Sequence, residues 1–294
     1  MNEWIFDIST IITASTVACT SAILGSFLVL RKKAMVGDAI SHSVLPGIVL
    51  AYMVSQSRAS WVMLIGAAIF GVLTNVLIEF LNKKAKMTAD ASIGITFTWL
   101  FAIGVILLAY FTAGGIDLDQ ECVLFGEISM INLDKIVVDG NLYLGPTAFW
   151  FIFPVFILVL LFTTFGFKGL KITSFNEDYA ASLGIKNGFW NYSLMALVSL
   201  STVMSFESVG AILVVGLLVI PPASAYLLTK KLKVMIFLGC LFGIMSSVIG
   251  YFIAKHYNLS ISGCIVCVAG LIFLVNLVYS IIQSKSKRNT SIQQ

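Results

Sequence analysis

The chain has 294 residues, of which 59% are hydrophobic and only 11% charged, with a mean hydropathy of +1.00 and a formal net charge of +4. A soluble domain carries about 25% charged residues, so this composition excludes a water-covered surface and makes the bilayer the solvent. The positive balance then reflects sided loop charges rather than a nucleic-acid partner.

Apolar stretches fall at about 9–30, 38–54, 59–81, 91–113, 147–167, 190–206, 209–228, 234–254 and 259–283, each near the ~20 residues that cross hydrocarbon. The expected fold is an all-α polytopic bundle of eight or nine membrane helices. The second stretch is short and polar at its start, and only Ser205, Phe206, Glu207 and Ser208 separate the sixth from the seventh, so one of them can be a broken or re-entrant helix. The N-terminus MNEWIFDIST has Glu3 and Asp7 and no basic residue, unlike a cleavable signal peptide, so the first helix is expected to be retained. Cys264 and Cys267 form a CxxC inside an apolar run, where they read as small residues on one helix face.

Basic residues orient the bundle. With the N-terminus outside, the clusters Arg31/Lys32/Lys33, Lys83/Lys84/Lys86, Lys168/Lys171/Lys186, Lys230/Lys231/Lys233 and Lys285/Lys287/Arg288 all fall in the cytoplasm, which is 15 of the 18 Lys and Arg. The expected topology is N-out and C-in. Residues 1–284 then form the membrane domain, with a cytoplasmic segment at about 168–189, and 285–294 form a polar, basic, disordered tail. The outer segment 114–146 holds Asp117, Asp119, Glu121, Glu127, Asp134 and Asp139 against Lys135, and reads either as a cation-focusing mouth or as an ordinary solvated loop.

Ionisable residues within the membrane are candidate functional sites, because a charge there costs several kcal/mol, by about 2.5 or more on insertion scales. Glu79 precedes Lys83 by four residues, the favoured order for a helical pair, and Asp90 opens the fourth span; structural explanations suffice for both. Asp38 and His42 are different. Their i,i+4 spacing puts a carboxylate and an imidazole on one helix face, roughly 7 and 13 Å beyond Lys33. That donor set suits manganese, zinc or iron, and a homodimer would bring two such pairs together to complete four ligands. The structural alternative is that Asp38 caps the helix and His42 bonds a neighbour. Gly37, Pro46 and Gly47 bend or thin this helix, or serve packing. Glu207 opens a segment whose Pro221 and Pro222 should kink or end it. It reads as a cation gate at the outer entrance or as a helix N-terminal cap, with the cap favoured.

The stretches RKKAMVGDAISHSVLPGIVLAY, ECVLFGEI, FNEDYAASLGI and ESVGAILVVGLLVIPPASAYLLTKKL, in that order, resemble the permease subunits of bacterial manganese/zinc/iron ABC importers, the metal-chelate-type ABC-3 family. The resemblance runs from about residue 15 to 280. It implies a multi-pass protein of the bacterial inner membrane and a homodimeric pore. It also implies a cytosolic ABC ATPase dimer that supplies ATP hydrolysis, and an extracytoplasmic metal-binding lipoprotein or periplasmic protein that delivers cargo. Asp38 and His42 match the family's pore-lining Asp and His. Phe175, Asn176, Glu177, Asp178, Ala180, Leu183 and Gly184 match its coupling helix; read on its own, Asn176 caps a helix that ends at Gly184. The sequence departs from the commoner family form at Asn176 and Glu177, where Asp-Pro is usual, and at Ser262-Gly263-Cys264, where Ser-Gly-Pro is frequent.

No GxxxxGK[ST] is present, so the chain is not expected to be an enzyme, and no tightly bound cofactor is implied beyond the transported metal. The alternative function is a self-sufficient, proton-coupled secondary metal transporter using Asp38 or Glu207. An intramembrane metalloenzyme would need an HExxH or an activated nucleophile, which the sequence lacks.

Overall fold

The computed structural model describes residues 3–55, 60–112, 128, 135–138 and 142–292. They form twelve helices and one hairpin: α1 (Glu3–Leu30), α2 (Val36–Ser43), α3 (Leu45–Ser55), α4 (Ser60–Lys84), α5 (Ala89–Thr112), β1 (Lys135–Val138), β2 (Leu142–Pro146), α6 (Thr147–Phe165), α7 (Phe167–Phe175), α8 (Glu177–Ser182), α9 (Asn187–Val209), α10 (Ala211–Leu228), α11 (Leu232–Tyr257) and α12 (Ile261–Ile292). β1 and β2 pair antiparallel, with Val137 opposite Tyr143.

Among the described residues, eight spans are both long and apolar enough to cross hydrocarbon: α1, α2 with α3, α4, α5, α6, α10, α11 and α12. The chain is thus a polytopic all-α membrane protein. α9 has 23 residues and the length to cross, but it carries buried Asn191, Ser199, Ser201, Thr202 and Ser205. Its neighbours are α1, α2, α4, α6, α7 and α10. A helix enclosed by protein can be polar, because its side chains meet other helices rather than lipid. The nine stretches read from the sequence are therefore eight apolar spans and one enclosed helix.

α1 is the centre of the bundle. Of its most apolar window, 72% is buried in the protein, against 17% for α12. Lipid tails are as apolar as Leu, so close packing and satisfied polar groups hold such helices together, rather than water expulsion. Buried Thr13, Thr20 and Ser26 each donate to the carbonyl four residues back, those of Ser9, Thr16 and Ala22, at 2.7–2.8 Å. At the start of α1, Asp7 accepts from Tyr251 Oη and Lys255 Nζ of α11, each at 2.5 Å. α10 and α12 run in the same direction, tied by Ser262 Oγ to the Val209 carbonyl at 3.0 Å and by Ser280 Oγ to the Leu227 carbonyl at 3.5 Å.

One sequence expectation is narrowed here and another corrected. Of the kink or end expected at Pro221 and Pro222, the end is excluded, because α10 continues through both. Pro222 has no N–H for the carbonyl of Leu218, and α1 covers that oxygen: a Cβ on Gly25 would lie 1.9 Å from it. The tail, expected to be disordered, continues as helix to Ile292, since no Gly or Pro interrupts residues 271–292.

Gly25→Ala should therefore destabilise the bundle by about 1–3 kcal/mol, the usual cost of overpacking. Gly94→Ala, whose Cβ meets nothing within 4 Å, should be neutral or stabilising by up to about 1 kcal/mol. Thermal unfolding in detergent, followed by tryptophan fluorescence, checks both.

Candidate metal pathway and coupling segment

α2 begins after Met35, which makes no side-chain cap, and Asp38 lies in its first turn. There a carboxylate favours the helix electrostatically without capping it. His42 follows in the last turn of α2, with Nε2 3.8 Å from Asp38 Oδ1; the two side chains are 46% and 40% exposed in the single chain. That separation is too long for a hydrogen bond and leaves both donors open on one face. The imidazole is flanked by two rings of α5, Phe97 at 5.9 Å and Phe101 at 5.6 Å between centroids.

The helix interrupts at Val44, between α2 and α3, although α-type bonds persist from Val44 to Ile40 and from Ile48 to Val44. Pro46 has no N–H to give the His42 carbonyl four residues earlier. α3 is held against α4 by a close glycine crossing, where a Cβ on Gly47 would lie 2.4 Å from the Gly66 carbonyl. Thr74 of α4 donates to Ser43 Oγ at 2.6 Å, fixing the residue next to His42. Among the described residues no group of three or more His, Cys, Asp or Glu gathers. One chain therefore offers two side-chain donors, and a cation bound there must complete its shell from water, backbone or another chain.

The coupling segment forms α7 and α8. Asn176 Oδ1 accepts from the Tyr179 amide at 2.9 Å, capping α8. At the other end Gly184, with φ of +74°, and Ile185 donate back to Ala181 and Ala180 at 3.0 Å, the double bond pattern of a Schellman stop. Asp178 is exposed, as are Phe175, Tyr179 and Leu183 at 57, 57 and 53%, while Ala180 is fully buried. The presented face is thus Phe175, Tyr179 and Leu183, and Ala180 turns into the chain's own interior. Tyr179 was not singled out from the sequence; the i,i+4 apolar spacing from Phe175 through Tyr179 to Leu183 carried the signal.

Glu207 lies in the last turn of α9, and the break to α10 comes at Gly210, which is the residue preceding α10. The cap reading is therefore corrected: Glu207 ends one helix rather than starting the next. The chain turns at Gly210, with φ of +86°, and the stretch before it contains no helix breaker. The six acidic residues of 114–146 lie outside the described residues.

Glu79 forms the i,i+4 pair with Lys83 that its spacing predicts, and it has a further partner. It is 4% exposed, ion-paired to Lys83 and bonded by Asn191 Nδ2 of α9. Nothing in the local sequence marks Asn191 as its partner, which lies 112 residues away.

Residues 5–280 match the ABC 3 transport family. The chain belongs to that family. The manganese transport system membrane protein MntD of Bacillus subtilis is 43% identical over 275 residues, covering 94% of this chain and 92% of that protein. The zinc transport system membrane protein TroD of Treponema pallidum is 37% identical, covering 92% and 73%. The solved structure of PsaBC from Streptococcus pneumoniae in complex with Fab superimposes with a TM-score of 0.73 at 35% identity, covering 92% of this chain and 90% of that one. As an ABC 3 permease, the chain is a multi-pass cell-membrane transport protein and not an enzyme.

Asn176→Ala should cost α8 about 1 kcal/mol, the usual value of an N-cap, and so speed amide exchange over 177–182 by about fivefold. Asn176→Asp should leave exchange unchanged. Hydrogen–deuterium exchange read by mass spectrometry measures it.

Proposed function

We propose that this ABC 3 permease is the pore-forming half of an ATP-driven importer of a divalent transition metal, with Mn(II) as its cargo. The observation that carries the reading is the Asp38/His42 pair: two metal-binding side chains, four residues apart, open on one face of an interrupted membrane span. Carboxylate with imidazole is a borderline donor set that takes manganese, zinc and iron alike. Manganese is inferred from the name of the 43% identical relative, with zinc as the competitor suggested by the 37% identical one.

Two copies of the chain would place two such pairs around one pathway. The basic clusters orient the bundle N-out and C-in, putting α8 in the cytoplasm. There Phe175, Tyr179 and Leu183 form an apolar face for a separate ATPase dimer. An extracytoplasmic metal-binding protein delivers the ion at the opposite end, near Glu207. ATP binding and hydrolysis then expose the Asp38/His42 site alternately to the two sides. The permease performs no bond chemistry; it replaces part of the ion's hydration shell with a carboxylate oxygen and an imidazole nitrogen, then releases the ion.

Asp38→Asn and His42→Ala should each lower manganese uptake at least tenfold in proteoliposomes holding the permease with its ATPase, while assembly with the ATPase is retained. Wild-type uptake in both variants would sink the assignment. Manganese uptake by the permease alone, driven by a proton gradient, would replace it with a secondary transporter. Zinc should block manganese uptake at the lower concentration, as the order of divalent affinities requires.

A further inference from the structure

At the end of the bundle that carries α8, a polar chain crosses four helices. Arg31, just past α1, donates from Nε to Ser174 Oγ at 3.0 Å and from Nη2 to Thr173 Oγ1 at 3.1 Å, both on α7. Its Nη1 donates to Asn191 Oδ1 of α9 at 2.8 Å. Asn191 Nδ2 donates in turn to Glu79 of α4, and Glu79 is ion-paired to Lys83. Glu79 and Asn191 are 4 and 6% exposed. Four and five residues before Glu79 on α4 lie Asn75 and Thr74. Asn75 Nδ2 donates to the Met195 carbonyl of α9 at 3.3 Å, and Thr74 donates to Ser43, beside His42.

The chemistry of each link fixes the next. A guanidinium only donates, so the amide oxygen of Asn191 must face Arg31; an ionised carboxylate only accepts, so its nitrogen must face Glu79. Aspartate at 191 would set two carboxylates against each other, and leucine would remove the link between Arg31 and the buried Glu79, leaving each only its remaining partners. Arg31 holds two successive hydroxyls of the last turns of α7, one and two residues short of the Phe175–Asn176 junction with α8. A displacement of α8 therefore strains the charge-assisted bonds that run to α9 and α4, and the innermost of them, between Asn191 and Glu79, is shielded from water.

We propose that Arg31, Asn191 and Glu79 are positioning residues forming a relay that carries movement of α8 into α4, and through Thr74 and Ser43 to the helix bearing Asp38 and His42. The proposal rests on the importer reading above. It concerns how ATP hydrolysis is converted into movement of the ion, not which residues bind the ion. A shared two-state element is the physical requirement for such coupling, and the relay supplies it as a set of bonds that must be kept or broken together.

The test uses the full transporter, permease with ATPase and extracytoplasmic binding protein, in proteoliposomes, with manganese as the probe. Uptake and ATP hydrolysis are measured on the same samples for wild type, Asn191→Asp, Glu79→Gln and Thr74→Val. The last removes only a hydroxyl and preserves shape, so it assembles even if the charged variants do not. Expected is hydrolysis within about twofold of wild type and manganese transported per ATP reduced at least fivefold, with manganese affinity unchanged. A merely structural role would lower the amount of assembled transporter without changing this ratio. A wild-type ratio in Thr74→Val, or in any assembled charged variant, overturns the relay. The importer reading stands or falls separately, on whether wild-type uptake needs ATP and Asp38.

Discussion

A polar group in hydrocarbon has no water to turn to, and this constraint organises the molecule. Every carbonyl or charge that the sequence places inside must find a partner within the protein. The buried hydroxyls of α1 bond their own helix, and Glu79 is held by Lys83 and Asn191. The same constraint explains why α9 lies in the interior. Its amides and hydroxyls would be costly against lipid, whereas inside the protein Asn191 bonds Arg31 and Glu79 and the Thr202 hydroxyl bonds its own helix.

The site sits where these demands are least met. Asp38 and His42 are half-exposed in one chain, and neither is committed to another side chain by a short hydrogen bond. The positions around them are tightly specified: Phe97 and Phe101 flank the imidazole, Thr74 holds Ser43, and the Gly47–Gly66 crossing brings α3 onto α4. A rigid surround with two open donors is suited to holding an ion without trapping it.

Much of this was legible in the sequence. The apolar stretches located the spans to within a few residues, because membrane length is a one-dimensional constraint. The i,i+4 spacing of Asp38 and His42 is likewise local, as is the Asn176 to Gly184 frame of α8. Pairings between distant segments were not legible. Glu79 and Lys83 read as an ordinary interfacial pair, since nothing near them points to Asn191. Glu207 was misplaced because the decisive turn is the backbone conformation of Gly210, three residues on. The prolines of α10 look like a stop until the helix packed over them is known.

The two serine ties between α9–α10 and α12 have a mechanical consequence. Val209 and Leu227 are 18 residues apart, as are Ser262 and Ser280, so the ties are about 27 Å apart along the axis, close to the hydrocarbon thickness. α12 cannot slip by a turn against α10 without losing both at once, and Asp7 pins α11 to α1 in the same way. This side of the bundle is therefore held in register over the full depth of the membrane.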